Sequence, residues 1–236
     1  MDENDPRHHH LGFSTEEIHH ICRGITGKDR SELFICEVDE ELRQGLAFIK
    51  KHPKVVTILG SARIAEGDRY YELTREISFR LAQELGMAVA TGGGPAIMEA
   101  GDRGAKEAGG VSLAMTIKLP HEQTTNIYAT EVMHFNFFFT RKVIMTYGVE
   151  AFVYMPGGFG TLNEFFEILT LVQTKKTHPR PILLVGSEFW QPLQDYIEKF
   201  LDERNLVDDA DTRMLYQIVD SAEDVVRTIR DFYAES

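Results

Sequence analysis

Short apolar runs rich in β-branched residues alternate with longer amphipathic stretches from residue 55 onward. The run at 55–59 precedes a stretch at 68–85 whose apolar residues recur every three or four positions, which predicts a strand followed by a helix. Apolar strands that alternate with helices form parallel sheets covered on both faces, so we predict a doubly wound α/β fold. The other predicted strands are 87–90, 111–117, 130–134, 150–155, 181–185 and 216–219, and the other helices are 96–108, 136–147, 161–173, 189–204 and 221–233.

The N-terminal segment does not share this alternation. Residues 1–36 mix charged residues with histidines without a clean period, whereas 39–51 predicts a helix. We therefore expect an N-terminal lead-in and helical extension at 1–52 and one α/β domain at 53–236. The histidines could bind a metal, but no cysteine or carboxylate pattern completes a site, and a solvated terminus is favoured. They are His8, His9, His10, His19 and His20.

Charge and cysteine content narrow the function. Lys and Arg number 25 against 37 Asp and Glu, a net charge of −12 that disfavours nucleic-acid binding but permits a small phosphorylated ligand in a pocket. The acidic N-terminus is unlike a signal peptide, and no apolar run reaches the roughly 18 residues of a membrane span. We expect a cytoplasmic protein with no membrane partner. Cys22 and Cys36 are then expected as free thiols, with a disulfide as the alternative.

Three glycine-bearing turns follow predicted strands, and ligands of doubly wound sheets bind at such strand ends. The strongest spans 156–164, where glycines let backbone amides approach an anion and the next helix adds its positive dipole end. The alternative is a tight turn without a ligand. Glu99 begins the helix after the second turn, where the dipole alone would explain a carboxylate. The three turns contain Gly60 and Ser61, then Gly92, Gly93 and Gly94, then Gly157, Gly158 and Gly160.

Two charged side chains lie where chemistry is expected. Glu164 has two interpretations: Thr161-x-x-Glu164 matches a capping box, while Glu164 on the face opposite the apolar stripe suits catalysis. Arg141 lies on a helix that is apolar nearly all round, which predicts a buried helix and requires an anionic partner. That partner is an internal carboxylate or a ligand phosphate or carboxylate. Arg63, after the first turn, is interpreted as a solvated loop residue.

Several familiar motifs are missing from the sequence. No Gly-x-x-x-x-Gly-Lys-Ser/Thr loop occurs, and the first strand-turn has no Gly-x-Gly-x-x-Gly, which disfavours an NTPase and a nicotinamide dehydrogenase. No Gly-x-Ser-x-Gly elbow, HExxH helix or zinc-type Cys/His spacing is present either.

Three elements together resemble the LONELY GUY (LOG) family, formerly described as lysine decarboxylase-like. They are Gly-Gly-Gly-Pro-x-Ile-Met-Glu at 92–99, Arg141-Lys142, and Pro-Gly-Gly-x-Gly-Thr-x-x-Glu at 156–164. The resemblance covers roughly 54–233, and the loop at 119–126 is similar to one in some bacterial members. It implies a Rossmann-like nucleotide-binding catalytic domain.

The resemblance also implies an activity and a site. The expected reaction is hydrolysis of the N-glycosidic bond of a nucleoside 5′-monophosphate, AMP-like or a cytokinin ribotide, to free base and ribose 5-phosphate. No cofactor or metal is expected, and a homodimer or higher homo-oligomer is. The resemblance makes Glu164 and Arg141 catalytic. The expected substrate- and phosphate-binding residues are Gly157, Gly158, Gly160, Thr161, Gly92, Gly93, Gly94, Glu99, Lys142 and Ser61.

Three rival functions remain at this point. The first is a non-catalytic nucleotide or molybdenum-cofactor carrier on the same fold, against which Arg141 and Glu164 argue. The second is an amino-acid decarboxylase, which would need pyridoxal phosphate on a lysine; Lys142 is the only lysine of the motif core. The third is a structural oligomer, which three ligand-type turns disfavour.

Overall fold

The computed structural model describes residues 9–10, 14–26, 29–118, 125–207 and 215–234. Within these ranges eight strands form one parallel sheet in the order β1-β5-β4-β3-β2-β6-β7-β8. The strands are β1 (His9–His10), β2 (Val55–Leu59), β3 (Ala88–Thr91), β4 (Ser112–Ile117), β5 (Glu131–Phe135), β6 (Ala151–Tyr154), β7 (Ile182–Val185) and β8 (Gln217–Val219).

Helices connect the strands, and they cover both faces of the sheet. Helices α3, α4 and α8 build one core with residues such as Ile77, Ile97 and Val225. Helices α2, α5, α6 and α7 build the other, with Phe165 and Trp190. The predicted doubly wound fold is confirmed. The helices are α1 (Thr15–Thr26), α2 (Arg30–Ile49), α3 (Arg69–Leu85), α4 (Ile97–Glu107), α5 (Phe138–Thr146), α6 (Phe159–Gln173), α7 (Ser187–Ile197), which continues as a π-helical segment (Glu198–Asp202), and α8 (Ala222–Ala234).

The order of the strands reverses at β2. This central strand pairs with β3 on one side and with β6 on the other. A crevice forms at such a switch point, outside the carboxyl ends of the strands that flank it. The turns after β2, β3 and β6 are the three glycine-bearing turns of the sequence, so the topology places them at one edge.

The described part of the N-terminal segment contains more helix than the sequence predicted. Helix α1 occupies part of the predicted lead-in, and α2 begins nine residues before the predicted helix because Asp29 caps it, accepting from the amides of Ser31 and Glu32. Cys22 and Cys36 form a disulfide between these helices, so the expectation of free thiols was wrong. The α1–α2 hairpin brings their Cα atoms to 5.7 Å, within the usual disulfide range.

Helix α5 is not buried all round, contrary to prediction. Its buried residues lie on one face, whereas Phe138, Phe139 and Val143 are exposed on another, where Phe139 contacts the ring of Phe34 in α2. None of the helices in the described ranges is long and apolar enough to cross a membrane.

Candidate functional site

The turns after β2 and β6 and the start of α4 are joined by backbone hydrogen bonds. Ser61 N donates to Pro156 O at 3.0 Å, and Ile97 N donates to Ser61 O at 3.2 Å. The turn after β3 is tied to the loop before β5, since Asn126 N donates to Gly93 O at 2.9 Å. The expectation that one edge assembles all three turns therefore agrees with their geometry.

The turn after β6 exposes backbone amides at the start of α6. The helix has Gly158 as its N-cap, and its first internal bond runs from Leu162 N to Gly158 O at 3.0 Å. Amides 159–161 precede that bond and point out of the helix end. A Cβ at Gly158 or Gly160 would meet none of the described atoms within 4 Å, so the backbone lies open there. A Cβ at Gly157 would instead collide with the buried side chain of Thr161.

The position of Thr161 decides between the two interpretations of Glu164. Thr161 is the third residue of α6, not its N-cap, and Glu164 lies in the second turn. The capping-box interpretation is therefore wrong, because the box needs Thr at the N-cap and Glu at the third helical position. The predicted helix begins at residue 161, two residues after the observed start of α6, because the glycines at 158 and 160 are typical of a turn.

Arg141 and Glu164 form a largely buried pair. Arg141 Nη1 lies 3.9 Å from Glu164 Oε1, and their side chains are 11% and 19% exposed. This separation exceeds the roughly 3.2 Å of a hydrogen bond, and within the described residues the Glu164 carboxylate accepts none. Arg141 Nε donates to Met115 O at 2.7 Å, which fixes the guanidinium at the end of β4. Among the described residues, the internal carboxylate nearest to a partner for Arg141 is thus Glu164.

Burial sets the protonation behaviour of this pair. It lowers the pKa of Arg141, with the charge of Glu164 acting in the opposite direction. Burial raises the pKa of Glu164, while the charges of Arg141 and Lys142 lower it and Glu167 raises it. A carboxyl group with a raised pKa beside a fixed cation is suited to exchange protons closer to neutral pH than an ordinary glutamate.

Neighbouring residues hold the pair in place. Lys142 Nζ donates to Glu167 Oε2 at 2.6 Å and to Asn163 Oδ1 at 3.3 Å, which ties α5 to α6. The buried Tyr154 donates its hydroxyl to Glu164 O at 3.1 Å. A small cavity beside Glu164 is lined by residues of β2, α5, β6 and α6. Its lining residues are Leu59, Lys142, Met145, Thr146, Tyr154, Glu164 and Glu167.

The glycines after β3 allow a close approach of side chains. A Cβ at Gly92 would lie 2.5 Å from Nη2 of Arg141, so only glycine leaves the guanidinium where it is. Gly93 has a φ of +70°, and a Cβ there would lie 2.7 Å from the Thr116 side chain. Glu99, in the first turn of α4, accepts from the Tyr71 hydroxyl at 2.8 Å.

A buried acid that sequence reasoning missed supports this turn. Asp102 is fully buried; it accepts from Asn126 Nδ2 at 2.6 Å, and both its oxygens lie 3.0 Å from Thr91 Oγ1. Asn126 Nδ2 also donates to Gly94 O at 3.1 Å. Burial raises the pKa of Asp102 to about 7, opposed by these hydrogen bonds. The available signal was a charged residue among the small residues that α4 packs against the sheet.

The remaining predicted candidates lie outside the site. Arg63 is exposed, as interpreted, and its amide donates to Ser61 Oγ at 3.0 Å. His19 contacts Glu37, and the side chains of His8, His9 and His10 lie outside the described part of the chain. Residues 119–124 of the loop that resembles one in some bacterial LOG members also lie outside it. The binding roles assigned to individual residues stay predictions.

Comparison with known proteins gives a family match and several relatives. The family model described as "Possible lysine decarboxylase" matches residues 98–229. A cytokinin riboside 5′-monophosphate phosphoribohydrolase of Rhodococcoides fascians is 29% identical over 153 residues, covering 62% of this chain and 75% of the relative. The enzyme LOG of Oryza sativa, with the same activity in its name, is 29% identical over 96 residues, or 40% of this chain and 38% of that one. The chain thus spans less than half of this plant relative.

Solved structures share the fold at lower identity. A molybdenum cofactor binding protein of Rippkaea orientalis is 18% identical with a TM-score of 0.55, covering 77% of this chain and 98% of that one. A molybdenum cofactor carrier protein of Chlamydomonas reinhardtii is 20% identical with a TM-score of 0.56, covering 78% and 99%. At these identities the likeness concerns the fold alone.

Proposed function

Because the chain belongs to the LOG family, whose family model is described as "Possible lysine decarboxylase", we propose that it hydrolyses nucleoside 5′-monophosphates. The products would be the free base and ribose 5-phosphate. The observation that carries this proposal is the buried Arg141–Glu164 pair, 3.9 Å apart, beside a glycine turn with open amides. Two relatives named as cytokinin riboside 5′-monophosphate phosphoribohydrolases support the same reaction class.

The 5′-phosphate is assigned to the start of α6. The open amides at 159–161 and the positive end of the helix dipole suit a phosphate, and the glycines at 157, 158 and 160 keep side chains out of its way. Ser61 adjoins this position through its hydrogen bond to Pro156, and the 92–94 turn adjoins Arg141 through Gly92. Glu99 completes the pocket from the first turn of α4. Lys142 acts through its charge, which lowers the pKa of Glu164, rather than through direct contact.

The reaction breaks the bond between C1′ and the base nitrogen. The bonding electrons leave with the base, so positive charge develops on the ribose as in glycoside hydrolysis. Glu164 stabilises that charge and accepts a proton from the water whose oxygen bonds to C1′. The proton then passes to the departing base. Arg141, held by Met115, opposes the rise that burial causes in the pKa of Glu164 and offers its Nη groups to the ligand.

Two other functions are less well supported. A carrier needs no buried Arg141–Glu164 pair, although structural neighbours include carriers of molybdenum cofactor. A pyridoxal-dependent decarboxylase needs a lysine available for a Schiff base, whereas Lys142 is engaged by Glu167 and Asn163.

A homo-oligomer forms part of the proposal. Phe138, Phe139 and Val143 of α5 are exposed, and Phe159 at the start of α6 is 91% exposed. Large exposed apolar side chains on two adjacent helices are typical of an interface between subunits. Light scattering coupled to size exclusion measures the state, and a monomer at micromolar concentration would contradict it.

The function is tested with purified protein and a panel of nucleotides. AMP, GMP, CMP and isopentenyladenosine 5′-monophosphate are incubated, and base and ribose 5-phosphate are followed by chromatography. Glu164→Gln should lose at least about 100-fold in turnover and keep its affinity for nucleotide. The exposed Glu188→Gln is the control and should behave as wild type. Base release that survives Glu164→Gln would refute the role of Glu164, and binding without release by wild type would favour the carrier.

A further inference from the structure

Helix α5 begins without a polar cap of its own. Its N-cap residue is Phe137, which has no side-chain cap within the described residues, and the first helical bond runs from Arg141 N to Phe137 O at 3.2 Å. Amides before that bond need acceptors from elsewhere in the fold. Glu41 of α2 binds two groups that flank these amides. Its Oε1 accepts from Asn136 N at 2.6 Å, and its Oε2 accepts from the Thr140 hydroxyl at 2.5 Å.

Close packing of α2 on α5 keeps this carboxylate in position. Glu41 and Gly45 lie one turn apart on α2, and they meet Thr140 and Ile144, which lie one turn apart on α5. A Cβ at Gly45 would collide with the Ile144 side chain, so glycine permits the approach. These two contacts fix how α2 packs on α5, and they place the Glu41 carboxyl group at the first turn of α5.

Glu41 is fully buried, and its position has an electrostatic consequence. Burial raises the pKa of Glu41, while hydrogen bonds from Thr140, Asn136 and Phe137 act in the opposite direction. A buried carboxyl group is costly unless it is hydrogen-bonded, and the start of a helix is where a negative charge is most favourable. Glu41 thus places a hydrogen-bonded carboxyl group beside the start of α5, although the residue comes from another helix.

We propose that Glu41 is a positioning residue for Arg141. Thr140, which Glu41 binds, directly precedes Arg141, and the guanidinium is held at its other end by Met115 O. A shift of the first turn of α5 would therefore move Nη1 relative to Glu164. This inference rests on the proposed function, and it assigns part of the site to α2, which lies outside the family-matched residues 98–229.

The test separates positioning from stability. Glu41→Ala should fold and lose about 10- to 100-fold in kcat, the range expected when a catalytic group moves by about 1 Å. Thr140→Val serves if Glu41→Ala fails to fold, and Thr140→Ser should recover most of its loss. Asp39→Asn, an exposed carboxylate on α2, is the matched control. Ile229→Ala, which opens a cavity on the other face of the sheet, should lower Tm without lowering kcat at 25 °C.

A double variant tests whether Glu41 acts through Arg141. In an Arg141→Lys background, Glu41→Ala should lower kcat by less than about a further twofold, because the effects of substituting residues that act as a unit are not additive. Full additivity would overturn the proposal, as would a folded Glu41→Ala protein with wild-type kcat. If wild type releases no base, the proposed function fails, and affinity for AMP by calorimetry decides this inference separately. A weakening of about tenfold in Glu41→Ala supports it, and an unchanged Kd overturns it.

Discussion

Gly92→Ala is the substitution that most directly tests the placement of Arg141. The added methyl group would lie 2.5 Å from Nη2 of Arg141 and 2.6 Å from Sδ of Met98. Both atoms are the far ends of side chains, and Gly92 is not among the positive-φ glycines of the described chain. The backbone therefore accepts alanine, and the guanidinium has to move.

The size of that movement follows from the contact distance. Ordinary contact begins at 3.4 Å, so Nη2 must withdraw by about 0.9 Å. Arg141 is anchored by Nε to Met115 O, and the shift therefore rotates its outer nitrogens relative to Glu164. Misplacement of a catalytic group by about 1 Å costs roughly 100-fold. We expect kcat/KM to fall by that order with a change in unfolding free energy below about 1 kcal/mol.

The assay is base release from the best nucleotide, run beside chemical denaturation of the same samples. Gly24→Ala is the matched control, since a Cβ there meets none of the described atoms within 4 Å and the residue lies in α1. Wild-type kcat/KM in a stably folded Gly92→Ala protein would refute the argument that the position of Arg141 limits the reaction.

Three further predictions concern charge and covalent structure. Lys142→Met should raise the pKa of Glu164 and move the acidic limb of the kcat/KM profile to higher pH, since activity needs the carboxylate; an unmoved limb would contradict this. The pKa of Asp102 is raised from 3.8 to about 7 in the folded protein. Its neutral carboxyl group therefore contributes fully to the free energy of unfolding below about pH 4, and this contribution is lost as pH rises through 7. Between pH 4 and pH 8, the free energy of unfolding of Asp102→Asn should therefore rise relative to that of wild type by up to roughly 4 kcal/mol in urea titrations. Parallel pH dependences of the two proteins would argue against the pKa shift of Asp102. Reduction of the Cys22–Cys36 bond should lower the free energy of unfolding by about 3 kcal/mol, because the bond closes a loop across 14 residues and so limits the entropy of the unfolded chain. Tm with and without dithiothreitol measures this loss, and the reductant should leave the Tm of a Cys22→Ser/Cys36→Ser variant unchanged.

The fold was predictable because its signals are local and repeated. Most strands from β2 onward are short apolar runs, and the helices between them have apolar residues every three or four positions. The parallel topology alone predicts that the three glycine-bearing turns lie together at the carboxyl ends of the strands. The sequence does not predict helix α1, because its buried face contains only Ile18 and Cys22. Two buried residues, one of them a cysteine, make no apolar stripe.

Parts of the site depend on contacts distant in sequence, which no local pattern reveals. Asp102 reaches Thr91 and Asn126 only once α4 lies on the sheet. The acceptor for the amide of Asn136, just before α5, is Glu41, which lies 95 residues earlier in the chain. Periodicity predicted α5 to be buried all round, but its exposed aromatic face depends on what neighbouring elements leave uncovered.

The hydrogen bonds that tie α5 to α6 do not use the side chains of Arg141 and Glu164 themselves. Lys142, Glu167 and Asn163 hold the two helices together, whereas Arg141 and Glu164 face each other one step away without a hydrogen bond. Substitutions that remove Arg141 and Glu164 would therefore leave the scaffold braced. An architecture built this way can lose its chemistry during evolution without losing its shape. The fold of this chain therefore does not depend on the pair of side chains to which the proposed reaction is assigned.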